Sequence, residues 1–193
     1  MKISQTALPV ILGLVILIIL SYTNILGNGF AWDDESFVLS WKTPKSISGL
    51  PKILAGDVPE GHDGVYRPVR GVFYLLAYPL FKQNPALYHA FSLLIHLSCV
   101  VLVYLIIKKL TENLLVPAVA AGIFAVHPLH VEAITFITTS FDVIGVIFFL
   151  LALLFYLEHT GGGRQSPYGS PAALAFATLA FFTYELTLTL PVL

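Results

Sequence analysis

The chain has 193 residues, of which 57% are hydrophobic and only 11% are charged, and its net charge is −1. Soluble domains carry about 25% charged residues, so this composition belongs to a membrane protein. The near-zero charge leaves no global basic surface, which excludes nucleic acid as a partner.

In chain order, Lys2 precedes an apolar segment, and residues 7–27 supply the roughly 20 residues that a membrane-crossing helix needs. A secretory signal has an apolar core of about 7–15 residues and then a small-residue cleavage site. Here the run continues into Ile25-Leu26 without such a site, so it reads as an uncleaved first span. Residues 28–86 form the polar region, which holds six of the ten basic residues and is punctuated by Pro44, Pro51, Pro59 and Pro68. Within it, residues 69–81 carry Phe73, Tyr74, Tyr78 and Phe81 and are too short to span. They suggest a helix lying in the interface, with its aromatics at headgroup level.

Residues 87–107 are a second span, closed by Lys108-Lys109. It contains the single cysteine, Cys99, which excludes an intrachain disulfide framework and reads as a small buried hydrophobe. One helix over 114–157 would run about 66 Å, about twice a bilayer core. The stretch is therefore a hairpin, with a third span at 114–128, an outer turn at 129–142 and a fourth span at 143–157. Residues 158–170 are a glycine-rich loop, and 171–193 begin a fifth span. The chain stops at Leu190-Pro191-Val192-Leu193 with no polar tail, which suggests a fragment of a larger membrane protein. The predicted fold is an all-α polytopic membrane protein: one membrane domain over 1–193, about five transmembrane helices and a large first extracytoplasmic loop.

Lys2, Lys108, Lys109 and Arg164 all fall on one side, which the positive-inside rule makes the cytoplasm. Long loops translocate largely regardless of charge, so residues 28–86 and 129–142 face outward. The expected location is a bacterial plasma membrane with the N-terminus in the cytoplasm.

An ionisable residue at membrane depth is costly and is a functional hypothesis by default. The orientation gathers Asp33, Asp34, Glu35, Arg67, Arg70, His89, His96, His127, His130, Glu132 and Asp142 on the outer side. Glu185 lies about 21 Å into the fifth span, in its outer half. Other readings stay open. Asp33 or Asp34 suits the N-cap of a helix beginning near Glu35. Arg67 and Arg70 suit headgroup anchors, His89 and His96 suit hydrogen-bonded packing, and Glu132 and Asp142 suit pairing with nearby bases. His127-Pro128-Leu129-His130 lacks the His-Glu-x-x-His arrangement of a zinc protease. Three clustered carboxylates could hold Mg²⁺ or Mn²⁺, but carboxylates alone do not separate a metal site from a bare general base.

These groups occur in a recognisable order: a first span, Asp33-Asp34, Tyr66-Arg67-Pro68-Val69, Tyr88-His89 with His96, His127-Pro128-Leu129-His130-Val131-Glu132, Asp142, and Glu185 before Leu-Thr-Leu-Pro. The chain resembles the amino-terminal half of the polytopic C-type (GT-C) glycosyltransferases. The nearest branch is the O-mannosyltransferase-like proteins whose membrane domain precedes tetratricopeptide repeats. The likeness covers essentially the whole chain. It implies a polyprenyl-phosphate sugar donor, with mannose as the sugar, a hydroxyl acceptor on protein or lipid, and an extracytoplasmic site under the first loop within membrane lipid. An acid of the Asp33-Asp34 pair would be the base.

Such a transfer needs a carboxylate to take a proton from the acceptor hydroxyl. It also needs positive groups where charge grows on the departing phosphate. Arg67 suits the second role with His127 or His130 in support, and Glu132, Asp142 and Glu185 complete the substrate-binding set. Three positions depart from the family pattern: Ser140 stands for arginine, Tyr184 for lysine and Ser92 for asparagine. A non-catalytic subunit that keeps the fold is a second reading. A transporter segment, with His96 and Glu185 along an ion path, is a third, although no internal repeat is evident.

Overall fold

The computed structural model describes residues 7–160 and 169–187, and every regular element among them is helical. Lys2, Arg164 and residues 188–193 lie outside the described residues. Helix α1 (Ala7–Tyr22) tightens into a 3₁₀ segment, Thr23–Gly27. The polar region then runs through a π-helical turn (Glu35–Ser40), two 3₁₀ turns, α2 (Leu50–Leu54) and α3 (Pro68–Phe81). After it come α4 (Pro85–Leu110), α5 (Leu115–Val126), a 3₁₀ turn at Pro128–His130, α6 (Val131–Thr135), α7 (Ile137–Thr160) and α8 (Gly169–Thr183).

Lipid offers no partner to a backbone N–H or C=O, so apolar stretches satisfy these groups internally as helices. Among the described residues, Ala7–Gly27, Pro85–Leu110 and Ile137–His159 are long and apolar enough to cross a membrane. A fourth span results if α5 and Pro128–Thr135, bent by 49°, are one broken span. The chain is a multi-pass membrane protein. The segment expected at 171–193 falls partly outside the described residues; within them, α8 accounts for 15 residues, Gly169–Thr183.

Local chemistry sets the helix ends. Asn84 Oδ1 accepts the Ala86 N–H at 3.1 Å with Pro85 at the first helical position, so α4 starts there. Lys108 and Lys109 close it, where cations complement the C-terminal dipole. Asn113 Oδ1 accepts the Leu115 N–H at 2.7 Å and starts α5. Pro128 cannot donate back to α5, and the chain bends at that point.

Residues 28–84 are packed onto one end of the bundle. Phe37 stacks on Tyr74 at 5.5 Å between centroids, and Tyr74 stacks on Phe141 of α7 at 4.1 Å. Where the sequence suggests aromatics of 69–81 at headgroup level, Tyr74 is instead fully buried in protein. α3 buries Arg70, Gly71, Tyr74, Leu75 and Ala77, while Leu76 and Leu80 stay exposed. The expected outer turn at 129–142 also differs, because it is largely helical. α7 begins at Ile137, so Asp142 stands in its second turn. The cause is a cap from a distant segment, described below.

α7 packs chiefly along α8 and α4, α4 along α5, and α1 against α5 and α4. Gly145 lets α7 approach the end of α8, because a Cβ there would meet Tyr184 Cβ at 2.9 Å and Thr183 Cβ at 3.3 Å. Gly145→Ala is expected to cost about 1–3 kcal/mol by overpacking and to push Tyr184 and Glu185 outward. Denaturant unfolding in detergent checks this, and unchanged stability would refute the close-packing account.

Candidate functional site

The three acids that follow α1 do not share one environment. Ala31-Trp32-Asp33-Asp34 forms a tight turn in which the Asp34 N–H donates to Ala31 O at 3.1 Å and the Ala31 N–H to Asp34 Oδ2 at 3.3 Å. The turn holds Trp32 at φ 54°, a left-handed conformation that costs a non-glycine residue roughly 1–2 kcal/mol. Its consequence is to send neighbouring side chains in opposite directions. Asp34 is buried, and its Oδ1 accepts both the Thr138 N–H and the Thr138 hydroxyl at 2.8 Å, with the Ile137 N–H at 3.4 Å from Oδ2. It therefore caps α7 from 104 residues away. Asp33 is exposed, lines a cleft of about 450 Å³, and has no hydrogen-bond or ion-pair partner among the described residues. Glu35 is exposed and opens the π-helical turn.

Across the cleft stand two arginines. Arg67 precedes Pro68, which bars it from helical backbone, so it takes the N-cap position of α3. Arg70 follows three residues on and shares that face of the helix. Arg67 Nη1 donates to both Asp142 oxygens at 2.9 Å, and Arg70 Nη1 donates to Asp142 Oδ1 at 2.8 Å. The other edge of Arg67 grips Glu185 through Nε at 2.6 Å and through a second bond from Nη2. Its guanidinium lies 4.8 Å from the Tyr184 ring, and that of Arg70 lies 4.5 Å from the Phe37 ring. Burial opposes the charge on Arg67, but the Glu185 and Asp142 carboxylates outweigh it and hold its pKa above the ordinary arginine value. The four groups are formally neutral together, and Asp33 and Glu132 add negative charge at the cleft wall.

Of the residues expected from sequence, Asp33, Asp34, Arg67, Glu132 and Asp142 therefore line one cleft, and Glu185 joins it through Arg67. His127 and His130 do not line it. Their rings stand 5.8 Å apart, and His130 lies 5.6 Å from His96 and 4.3 Å from Phe124, in a cluster at the end of α5. The bend at Pro128 turns both histidines to that side. His127 Nδ1 accepts the Leu129 N–H at 3.3 Å, which supports the bend itself. His96 Nε2 meets Ala125 O at 2.9 Å, and His89 Nε2 meets Gly29 O at 3.4 Å, so these two tie segments to α4.

Two departures from the family pattern prove to be neighbours. Ser92 donates to Ser140 at 2.8 Å, and Ser140 donates to Ile137 O at 2.7 Å. Both are buried where α4 meets α7, and Ser140 does not line the cleft. The cleft also contains residues that the sequence reading did not assign: Trp32, His62, Phe136, Thr139 and the inward-facing Arg70. The three-residue spacing from Arg67 was a usable signal for Arg70, and adjacency to Asp33 was one for Trp32. His62 lies in a glycine-rich loop with no periodicity to betray its place. Among the described residues, no three His, Cys, Asp or Glu side chains converge where a metal ion could be held.

No family model matches the chain, and no solved structure does. Among curated proteins it is 30% identical over 168 residues to the human protein O-mannosyl-transferase TMTC3, covering 84% of this chain and 18% of that one. It is 29% identical over 144 residues to the Drosophila melanogaster protein O-mannosyl-transferase Tmtc1, covering 72% and 17%. It is 31% identical over 152 residues to the Xenopus laevis protein O-mannosyl-transferase tmtc2, covering 73% and 18%. The chain spans under a fifth of the length of these relatives.

Proposed function

We propose, from the premise that this chain is a homologue over most of its length of the protein O-mannosyl-transferases of the TMTC group, that it carries the site of a mannosyltransferase-type glycosyltransferase. The donor is mannose on a polyprenyl phosphate, and the acceptor is a hydroxyl group presented at the extracytoplasmic face. One observation carries the reading: Asp33, a carboxylate with no partner among the described residues, lines the same cleft as Arg67 and Arg70, and that cleft is large enough for a sugar phosphate.

In the proposed reaction Asp33 takes the proton from the acceptor hydroxyl as its oxygen bonds to the anomeric carbon. The bond from that carbon to the phosphate oxygen breaks, and polyprenyl phosphate departs with the electron pair. Arg67 and Arg70 lie where the developing phosphate charge would be met. The planar guanidinium of Arg67 suits a phosphate as well as it suits the carboxylate it now holds. Donor binding accordingly replaces Glu185, the more exposed of its two acids, on the Arg67 fork. The outward placement rests on Lys108 and Lys109 at the opposite end of α4.

A non-catalytic subunit is favoured by one observation, the pairing of both arginines with acids of the same chain. Sealed membrane vesicles of both orientations, given polyprenyl-phosphate mannose and a membrane-impermeant serine/threonine peptide, separate the two. Transfer is expected only in right-side-out vesicles. Absence of transfer in either orientation would leave the subunit reading, and transfer only in inverted vesicles would reverse the topology.

A further inference from the structure

Trp32 lines the cleft, and the proposed proton transfer does not use its side chain. Trp32 is 84% exposed, yet its backbone is held in the left-handed region. Strained backbone that persists only because its surroundings over-determine it points to function. Here the Asp34 carboxylate fixes the turn on one side and caps α7 on the other. The indole projects at the cleft wall and meets Phe136 edge-on, with centroids 6.3 Å apart and planes at 71°. Asp33 follows it directly in sequence, and Glu132 lines the same cleft.

A membrane-interface anchor would explain an exposed tryptophan, but it requires no left-handed backbone. Three helices of spanning length already hold the chain in lipid. We infer that Trp32, edged by Phe136, is the platform on which the hexose ring of the donor stacks, with Asp33 and Glu132 facing the hydroxyl rim. A hexopyranose has a face of C–H bonds and an edge of hydroxyls. The negative face of an indole attracts the former, and carboxylates accept from the latter. Trp32 and Asp33 line the same cleft, so a donor whose anomeric carbon meets an acceptor hydroxyl at Asp33 has its ring within reach of the indole. This inference rests on the glycosyl-transfer reading and adds to it the group that holds the sugar.

The test uses the full chain in detergent or membranes, with wild type, Trp32→Ala and Trp32→Tyr. Trp32→Ala is expected to raise KM for polyprenyl-phosphate mannose about tenfold, with kcat within about threefold. Trp32→Tyr, which keeps an aromatic face, is expected to stay near wild type. The fluorescence difference between wild type and Trp32→Ala isolates the emission of Trp32. It is expected to shift on adding the mannosyl donor and to stay unchanged on adding sugar-free polyprenyl phosphate.

An unchanged donor KM in Trp32→Ala would overturn the assignment. An equal emission shift with the sugar-free lipid would overturn it in favour of lipid-chain contact, and a rise confined to the acceptor KM would give the platform to the acceptor. Wild-type chain that transfers nothing, yet shifts only with the mannosyl donor, would retain the platform and remove the enzyme reading. No transfer and no shift would remove both.

Discussion

Asp33→Asn is expected to lower sugar transfer by about 10²–10⁴-fold, the range for losing a positioned general base, with unfolding stability changed by no more than roughly 0.5 kcal/mol. Asp33 is exposed and has no partner among the described residues, so folding does not depend on its charge. Asp34→Ala is expected to behave differently. It removes the acceptor for the Thr138 N–H and hydroxyl and for the Ile137 N–H, all buried. A lost cap and stranded buried donors together cost about 2–3 kcal/mol. The first turn of α7 would fray, and with it the wall formed by Thr138 and Thr139. Parallel denaturant unfolding and transfer assays on the two variants check the division. Full activity in Asp33→Asn would sink the assignment of the base, and wild-type stability in Asp34→Ala would sink the assignment of the cap.

Asp142→Ala is expected to destabilise the protein by about 3–5 kcal/mol, because it leaves two largely buried arginines without their shared acid. Side-chain exposure is 15% for Asp142, 14% for Arg67 and 6% for Arg70, so water can replace little of what is lost. Glu185→Ala should cost only about 0–1 kcal/mol, since its side chain is 54% exposed and solvent screens the pair. On the proposed function, the contrast makes Asp142 the fixed partner of the arginines and Glu185 the exchangeable one. Replacing Arg70 by Met together with Asp142→Leu tests the coupling. A double variant closer to wild type than the sum of the single changes is expected. Simple additivity would mean that the groups act independently.

What the sequence by itself determined is the membrane character, the all-helical class and the presence of several long apolar helices. These follow from rules that act along one dimension. Backbone groups in lipid must bond internally, and alternating spans place every second connection on the same side. Arg67, Asp142 and Glu185 could be grouped in that way, and they form one ion network over separations of 75 and 118 residues.

Tertiary structure alone decided how the two adjacent acids are placed. Asp33 and Asp34 are chemically identical neighbours, and only the left-handed Trp32 turn exposes one while seating the other on α7. It also started α7 at Ile137, since no local residue signals a cap delivered from Asp34. His127 and His130 sit in the cluster at the end of α5 and do not line the cleft, although the sequence reading grouped them with Arg67. The apolar character of a stretch acts along one dimension and is legible in the sequence. The direction a side chain takes depends on dihedral angles and on contacts from segments about 100 residues away, and only the packed structure specifies those.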